Sequence, residues 1–475
     1  MRVPPLSYPF IVLVVSILAL TVSADSAVEL RMMHYPHSYV PVVLLSDGRA
    51  FIPDQVGSEI YDAQADTFKT TSASAVCRPT DCAATLLPDG TVFVVGASAA
   101  ELFDPVSNSF TSLGTLACRN RHTATVTLLP DGRVLVAGGC EDLHAEVYDP
   151  SSRTFSFTGE MRSYRSNSVA TLLRNGRVLI TGGRTYDGKT LSTCETYDFK
   201  SGVFASASSM KSGRYGHTAT LLEDGRVLIT GKLPDTKGPS AELYDPTSGN
   251  FVATSQMIYA RKDHTASLLA NGDVVLAGGL GWGIHNLFGS STIEDQNSIE
   301  VYHRETGRFS RVATMRLRRS GHSATLLPNG RLLVAGGVRQ RWYQLEERYE
   351  NTAELHNVRT ISSHRELRAP ILWGSNTGIG SRAIFVSGSG FIPGDTILVD
   401  ELLQTTTYIS SALLIATFCE YQSAEDIGVH EIRVRYSDSG QSRVSEPAQL
   451  QSTNSCGVIR SSVATSGTEK LIGLR

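Results

Sequence analysis

The sequence predicts an all-β protein: a seven-bladed β-propeller closed by its N-terminal strand, followed by a small immunoglobulin-like β-sandwich. Three observations predict it. A short apolar run, Asp-Gly or Asn-Gly, and a second apolar run recur seven times, with turn pairs starting at Asp47, Asp89, Asp131, Asn175, Asp224, Asn271 and Asn329. An aromatic pair spaced by seven residues follows in register, from Tyr61 and Phe68 through Phe103 and Phe110 to Tyr302 and Phe309. From near Pro370 to Gln451 a different β pattern replaces the repeat.

Each phrase is a hairpin. Both central residues of a type I′ turn need φ > 0, which Asn-Gly and Asp-Gly supply at least cost. A glycine pair marks the end of the second strand in four units, Gly138-Gly139, Gly182-Gly183, Gly278-Gly279 and Gly336-Gly337. Asp-Pro turns after Phe103, Tyr148 and Tyr244 make a second hairpin from the third and fourth strands. Four strands every 42 to 58 residues, seven times over, is a propeller series.

The string HTATLLEDGRVLITG followed by AELYDPTSGNF resembles the kelch motif of galactose oxidase and related proteins, and the resemblance covers residues 28 to 360. Closure follows from the register. Met161, Met210, Met257 and Met315 stand fourteen residues before a turn, in the expected fourth strand of the preceding blade, and Met33 shares that offset. Val28 to Met33 therefore reads as a fourth strand lacking its first three, while the unit after Glu354 lacks a fourth. Joining the two removes the exposed edges.

The propeller is expected over residues 25–366 and the second domain over 370–452, with a polar tail at 453–475. The second domain is similar to IPT/TIG immunoglobulin-like domains through its Gly-x-Gly-Phe segment at Gly388 to Phe391. Gly428 to Tyr436 alternates apolar and polar residues, as a half-buried strand does.

Residues 1–24 read as a signal peptide, with an apolar run from Phe10 to Leu20 and small residues before Asp25. The expected destination is secreted, or periplasmic in a bacterium, with no membrane span after cleavage. A net charge of -3 from 43 basic and 46 acidic residues gives no excess for nucleic acid. Export permits disulfides among the seven cysteines. The preferred pairs are Cys77 with Cys82 and Cys419 with Cys456, while Cys118, Cys140 and Cys194 compete for a third. No cysteine or histidine cluster has zinc spacing, so no metal and no cofactor are expected.

A residue repeated in most blades reads as scaffold, and one placed once on a loop reads as a candidate for function. Glu59, Glu101, Glu146, Glu195, Glu242, Glu300 and Glu354 hold one slot; Arg121, Arg165, Arg214, Arg261 and Arg319 hold another, ten residues before the turn. They read as braces within each blade, with a ring of arginines for acidic sugars as the alternative. His217, His264 and His322 share the slot seven before the turn, as packing residues or as ligands converging on a metal.

The galactose-oxidase resemblance implies copper radical chemistry, with a Cys-Tyr cross-link, a Tyr beside a His ligand and a second His from the C-terminal domain. The only Tyr-His pair is Tyr302-His303, in the repeated outer slot, and His430 lies within a regular strand. No catalytic residues are therefore assigned, and kelch-type sugar epimerases stay open because their groups lack a local motif. GxSxG, HExxH, P-loop and EF-hand sequences are absent.

The unrepeated residues fall between second and third strands. Blade four carries Tyr186; blade six carries Trp282, His285 and Phe288; blade seven carries Arg339, Arg341, Trp342 and Tyr343. Trp, Tyr and Arg are enriched at binding hot spots, and flat rings stack on sugars. The expected function is non-catalytic binding of an extracellular glycan or protein by this face. A carbohydrate-active enzyme, either oxidase or epimerase, is the alternative, and a structural module of a cell-surface assembly is the second.

Overall fold

In this computed structural model the described residues are 30–118, 121, 123–232, 240–284, 291–341 and 344–358, together with the backbone of ten strands between 371 and 462; the side chains of 282–294 and 340–347 lie outside them. Every described strand pairing is antiparallel. Seven four-stranded sheets form the blades, six from strands taken in chain order and the seventh joining Leu30–Met32 to the strands of the last unit. Blade 3 is typical, with Thr125–Leu128, Val134–Ala137, His144–Asp149 and Thr154–Glu160. The first strands of successive blades neighbour one another, which places them innermost around the axis.

Why seven sheets pack face to face is visible in the second strands. All four residues of Val134–Ala137 are buried. Val134 and Val136 pack with Leu87, Phe93 and Val95 of blade 2, whereas Leu135 and Ala137 pack with Val178 and Ile180 of blade 4. The period-2 alternation of a strand thus feeds two inter-blade cores at once, which requires apolar residues without interruption. The aromatic pairs lie directly opposite each other on the third and fourth strands, as Tyr148 and Phe155 with ring centroids 5.1 Å apart.

Leu30–Met32 pairs with Thr352–Asn357, Leu30 opposite Glu354 and Met32 opposite Thr352, so the last propeller sheet combines the beginning and the end of the repeat. The methionine slot lies just beyond the fourth strand, not within it, which corrects the sequence reading. Thr154–Glu160 ends before Met161 and Val203–Ala207 before Met210. The backbone there leaves the sheet to cross to the next blade, and Met161, Met210 and Met315 are buried at 3%, 4% and 1% exposure, anchoring the crossing.

Beyond the propeller, Ile371–Asn376, Ser381–Ser387, Leu413–Cys419 and Thr405–Ser410 form one antiparallel sheet. A second is built around Thr396–Val399, Val429–Asp438 and Ala448–Gln451. His430 lies in the middle strand of that sheet, opposite Leu450.

Candidate functional site

Strand direction sorts the connections between two faces. The Asp-Gly and Asp-Pro turns lie on one face; the loops from second to third strands and the crossings between blades lie on the other. On that loop face the crossings pair with the loops, as Ser166 with Arg184 and Ser320 with Val338.

Below the loops, the repeated Glu and Arg are braces. Arg121, Arg165, Arg214, Arg261 and Arg319 are all buried, and each meets the Glu of its own blade: Arg121 to Glu146 at 2.9 Å, Arg165 to Glu195 at 2.9 Å, Arg319 to Glu354 at 2.9 Å, with Arg214–Glu242 and Arg261–Glu300 alike. Each Arg also donates to the carbonyl of a glycine-slot residue, Gly138, Gly182, Gly231, Gly278 or Gly336. The Glu accepts backbone N–H groups from the incoming crossing, such as Arg316 and Leu317 on Glu354. Burial works against Glu354 as an anion, yet His356, Arg319 and those N–H groups hold its pKa down at about 2. These arginines therefore do not face a ligand.

Blade 1 has His37 in the arginine slot. Its Nδ1 is 3.0 Å from Asp54 and its Nε2 2.9 Å from Glu59. Burial disfavours the imidazolium, but both carboxylates favour it and raise its pKa.

His217, His264 and His322 are wedges between blades. Their Nε2 atoms meet Thr181 at 2.8 Å, Thr230 at 3.0 Å and Thr265 at 3.1 Å, each on the preceding blade. Burial, then the nearby arginine charge, lowers His217 and His322 to about 3, so both are neutral. Among the described residues they do not converge: the one close group of three His, Cys, Asp or Glu donors is Cys118, Cys140 and Asp142. Its two sulfurs are joined as a disulfide, as are Cys77 and Cys82. Cys194 is free and buried, its thiol pushed up to about 11 by burial. The Cys419–Cys456 pairing lies outside the described residues.

The inner ends of the crossings share a backbone feature that no constant residue type marks. One residue per blade, just before the innermost strand, adopts φ between 51° and 71°: Tyr39, Thr80, Thr123, Asn167, Gly216, Asp263 and Gly321. Backbone hydrogen bonds link them around the axis, from Asp263 N to Gly216 O at 2.7 Å, Gly321 N to Asp263 O at 3.0 Å and Tyr39 N to Gly321 O at 2.7 Å. Five of the seven are not glycine, and left-handed backbone in such residues is strain held in place by its surroundings. The two glycines are explained by their neighbours. A Cβ on Gly216 would meet the Asp263 carboxylate, and one on Gly321 would meet the Tyr39 ring.

The side chains gathered at this belt carry charge and aromatic surface. Lys262 Nζ is 2.8 Å from Asp263 Oδ2 and 4.7 Å from the centre of the Tyr215 ring. The Arg184 guanidinium lies 4.5 Å from the same ring. Burial raises the Asp263 pKa, and Lys262 offsets it in part. Tyr186, from the sequence candidates, follows Arg184 by two residues on the same loop, is 75% exposed and stands edge-on to Tyr164 at 5.8 Å.

Of the other candidates, the backbone of Trp282 lies in Leu280–Ile284, which forms a hairpin with Ser291–Asp295 and pairs with Arg261–Lys262. Arg339 and Arg341 lie in Val338–Arg341, which pairs with Gln344–Tyr349 and neighbours Ser291–Asp295. His285, Phe288, Trp342 and Tyr343 lie outside the described residues.

The copper set implied by the sequence resemblance does not assemble among the described residues. Tyr302 is 1% exposed and packs on Phe309. Both His303 nitrogens are engaged, Nδ1 with Asp273 at 3.1 Å and Nε2 with Ser310 at 2.7 Å. The side chain of His430 is outside the described residues.

No protein-family model matches the chain, and no curated protein matches its sequence. Among solved structures it is similar to a fungal alcohol oxidase of the AA5 family in complex with copper, with a TM-score of 0.57 and 13% identity over 90% of this chain and 98% of that one. It also aligns with YjhT, at a TM-score of 0.46 and 13% identity over 69% of this chain and 97% of that one. At this identity the likeness to the oxidase is one of fold alone, an all-β seven-bladed propeller.

Proposed function

We propose that this chain is an exported glycan-binding protein that takes its ligand on the loop face, centred where blades 4, 5 and 6 meet the axis. The observation that carries the reading is Arg184, Tyr215, Lys262 and Asp263 gathered beside a strained backbone belt. Charged forks and carboxylates bond sugar hydroxyls, and tyrosine rings offer flat apolar faces. The hairpins of blades 6 and 7, the first of them including Trp282, would extend the surface. Closure by Leu30–Met32 fixes the ring on which the site stands, and the C-terminal strands form the immunoglobulin-like domain. A glycan array tests the reading: the native chain captures one glycan class, and Tyr215→Ala with Trp282→Ala abolishes capture while the unfolding midpoint is kept. Equal capture by native and variant protein counts against it.

A second reading, a sugar epimerase, is favoured by one observation: burial makes Asp263 more basic than an ordinary carboxylate, next to a lysine. Exchange of solvent deuterium into a bound sugar, lost in Asp263→Asn, would establish it.

A further inference from the structure

The cations of the two faces are held differently. On the turn face five are tied to acids, Arg49 to Asp47 at 2.6 Å, Arg133 to Asp131 at 2.6 Å, Arg226 to Asp224 at 2.6 Å, Arg177 to Asp198 at 3.4 Å and Arg304 to Glu223 at 2.5 Å, while Arg153, Lys200 and Arg308 are exposed there among turn aspartates. The Asp-Gly-Arg phrase builds three of these pairs locally, since the arginine stands two residues after the turn aspartate.

The loop face differs. Arg78, Arg162, Lys211 and Arg316 stand exposed on four different crossings, and none has a carboxylate partner among the described residues. Arg162, Lys211 and Arg316 each follow a buried methionine, and each spends its backbone N–H on the brace glutamate. The backbone is therefore fixed while the charged side chain is left to solvent. Arg184 adds a guanidinium that lies over the Tyr215 ring and donates to the Gly188 carbonyl. The acids of the same face are mostly taken: Asp54 by His37, Asp142 by His144 and Asp263 by Lys262. Among the described residues its exposed acids are Glu141, Asp142, Glu160 and Asp187, against the exposed cations Arg78, Arg162, Lys189, Lys211, Arg316 and Arg318.

We infer that the loop face binds an anionic polysaccharide, its carboxylate or sulfate groups meeting Arg162, Lys211 and Arg316 around the rim and Arg184 near the axis. This rests on the glycan-binding reading and names the ligand class. Cations on four separate crossings, spaced around a ring, suit a chain with one charge per sugar better than a compact anion. The Tyr215 ring beside Arg184 suits a sugar face.

The test uses the full chain and three immobilised probes: polygalacturonate, its fully methyl-esterified form and dextran sulfate. Polygalacturonate or dextran sulfate is expected to bind, at least about tenfold more weakly as sodium chloride rises from about 50 to 300 mM. The ester removes the charge and keeps the backbone, and is expected not to bind. Arg162→Ala with Lys211→Ala and Arg316→Ala, all exposed and outside the central cluster, should weaken binding about tenfold with an unchanged unfolding midpoint. Preference between the two charged probes separates carboxylate from sulfate. Equal binding of acid and ester overturns the inference while leaving glycan binding intact; binding to no probe but to a neutral glycan does the same, and capture of none of these or of any array glycan overturns both. Tighter binding of a random DNA duplex than of either charged probe also overturns it.

Discussion

At the residue scale, the buried Arg–Glu braces and the belt around the axis make opposite demands on sequence. A brace needs two specific side chains, and breaking it leaves a charge without its partner in the core. Glu354→Ala orphans Arg319, which is 0% exposed, and should lower unfolding free energy by about 3–5 kcal/mol in urea denaturation. A loss below about 1 kcal/mol would mean the pair is dispensable. The belt instead needs a backbone conformation, which Tyr, Thr, Asn, Asp and Gly all fill here. That is why the braces were legible as seven repeated Glu and five repeated Arg, while Asp263 was not: a slot conserved in φ carries no constant letter. Gly216→Ala tests the belt. It puts a Cβ at φ +59° against the Asp263 carboxylate. The expected result is a loss of about 1–2 kcal/mol of stability together with weakened ligand capture. Stability loss with unchanged capture would separate Asp263 from the ligand.

At the element scale, the blades were readable because their turns are chemically marked and their second strands are apolar throughout. The hairpins Leu280–Ile284 with Ser291–Asp295 and Val338–Arg341 with Gln344–Tyr349 look like loops in the sequence, because Gly281 and Gly283 interrupt one and charges fill the other. Neither shows alternation with a buried face. The N-terminal strand was found by register alone, since three residues carry no pattern of their own. Its bonding gives it a definite role: Leu30–Met32 pairs with Thr352 to Glu354, and Arg31 bonds Asp66 at 2.9 and 2.6 Å. A chain beginning at His34 would leave Thr352–Asn357 as a bare edge strand. It should unfold at a lower urea concentration than the full chain and self-associate at high concentration by light scattering. An unchanged midpoint and a monomeric profile would remove the strand from ring closure.

At the scale of the whole molecule, charge segregation was invisible in a net charge of -3 because composition adds the two faces together. The distribution of histidines is equally hidden, and it sets how stability responds to pH. His217 and His322 are lowered to about 3, by burial first and arginine charge second, and His264 is lowered for the same reasons. The folded chain refuses protons that the unfolded chain accepts near pH 6.5. Their contribution is therefore complete above about pH 6.5 and is lost as pH falls from there toward 3, at roughly 1.4 kcal/mol per pH unit for each group. Glu354, held at about 2, adds a loss as pH falls from about 4.5 toward 2. His37 acts in the other direction. Its raised pKa makes its bonds to Asp54 and Glu59 complete below about pH 6.5 and lost as pH rises through its folded value. Three groups oppose one in acid, so the urea midpoint should fall from pH 7 to pH 4.5. Replacing His322 with Asn should flatten that slope by about one proton whatever it does to the midpoint at pH 7, because proton uptake and packing enter separately. A slope unchanged in His322→Asn would mean that this histidine is protonated in the folded ring, and the wedge between blades 6 and 7 would have to be a charged one.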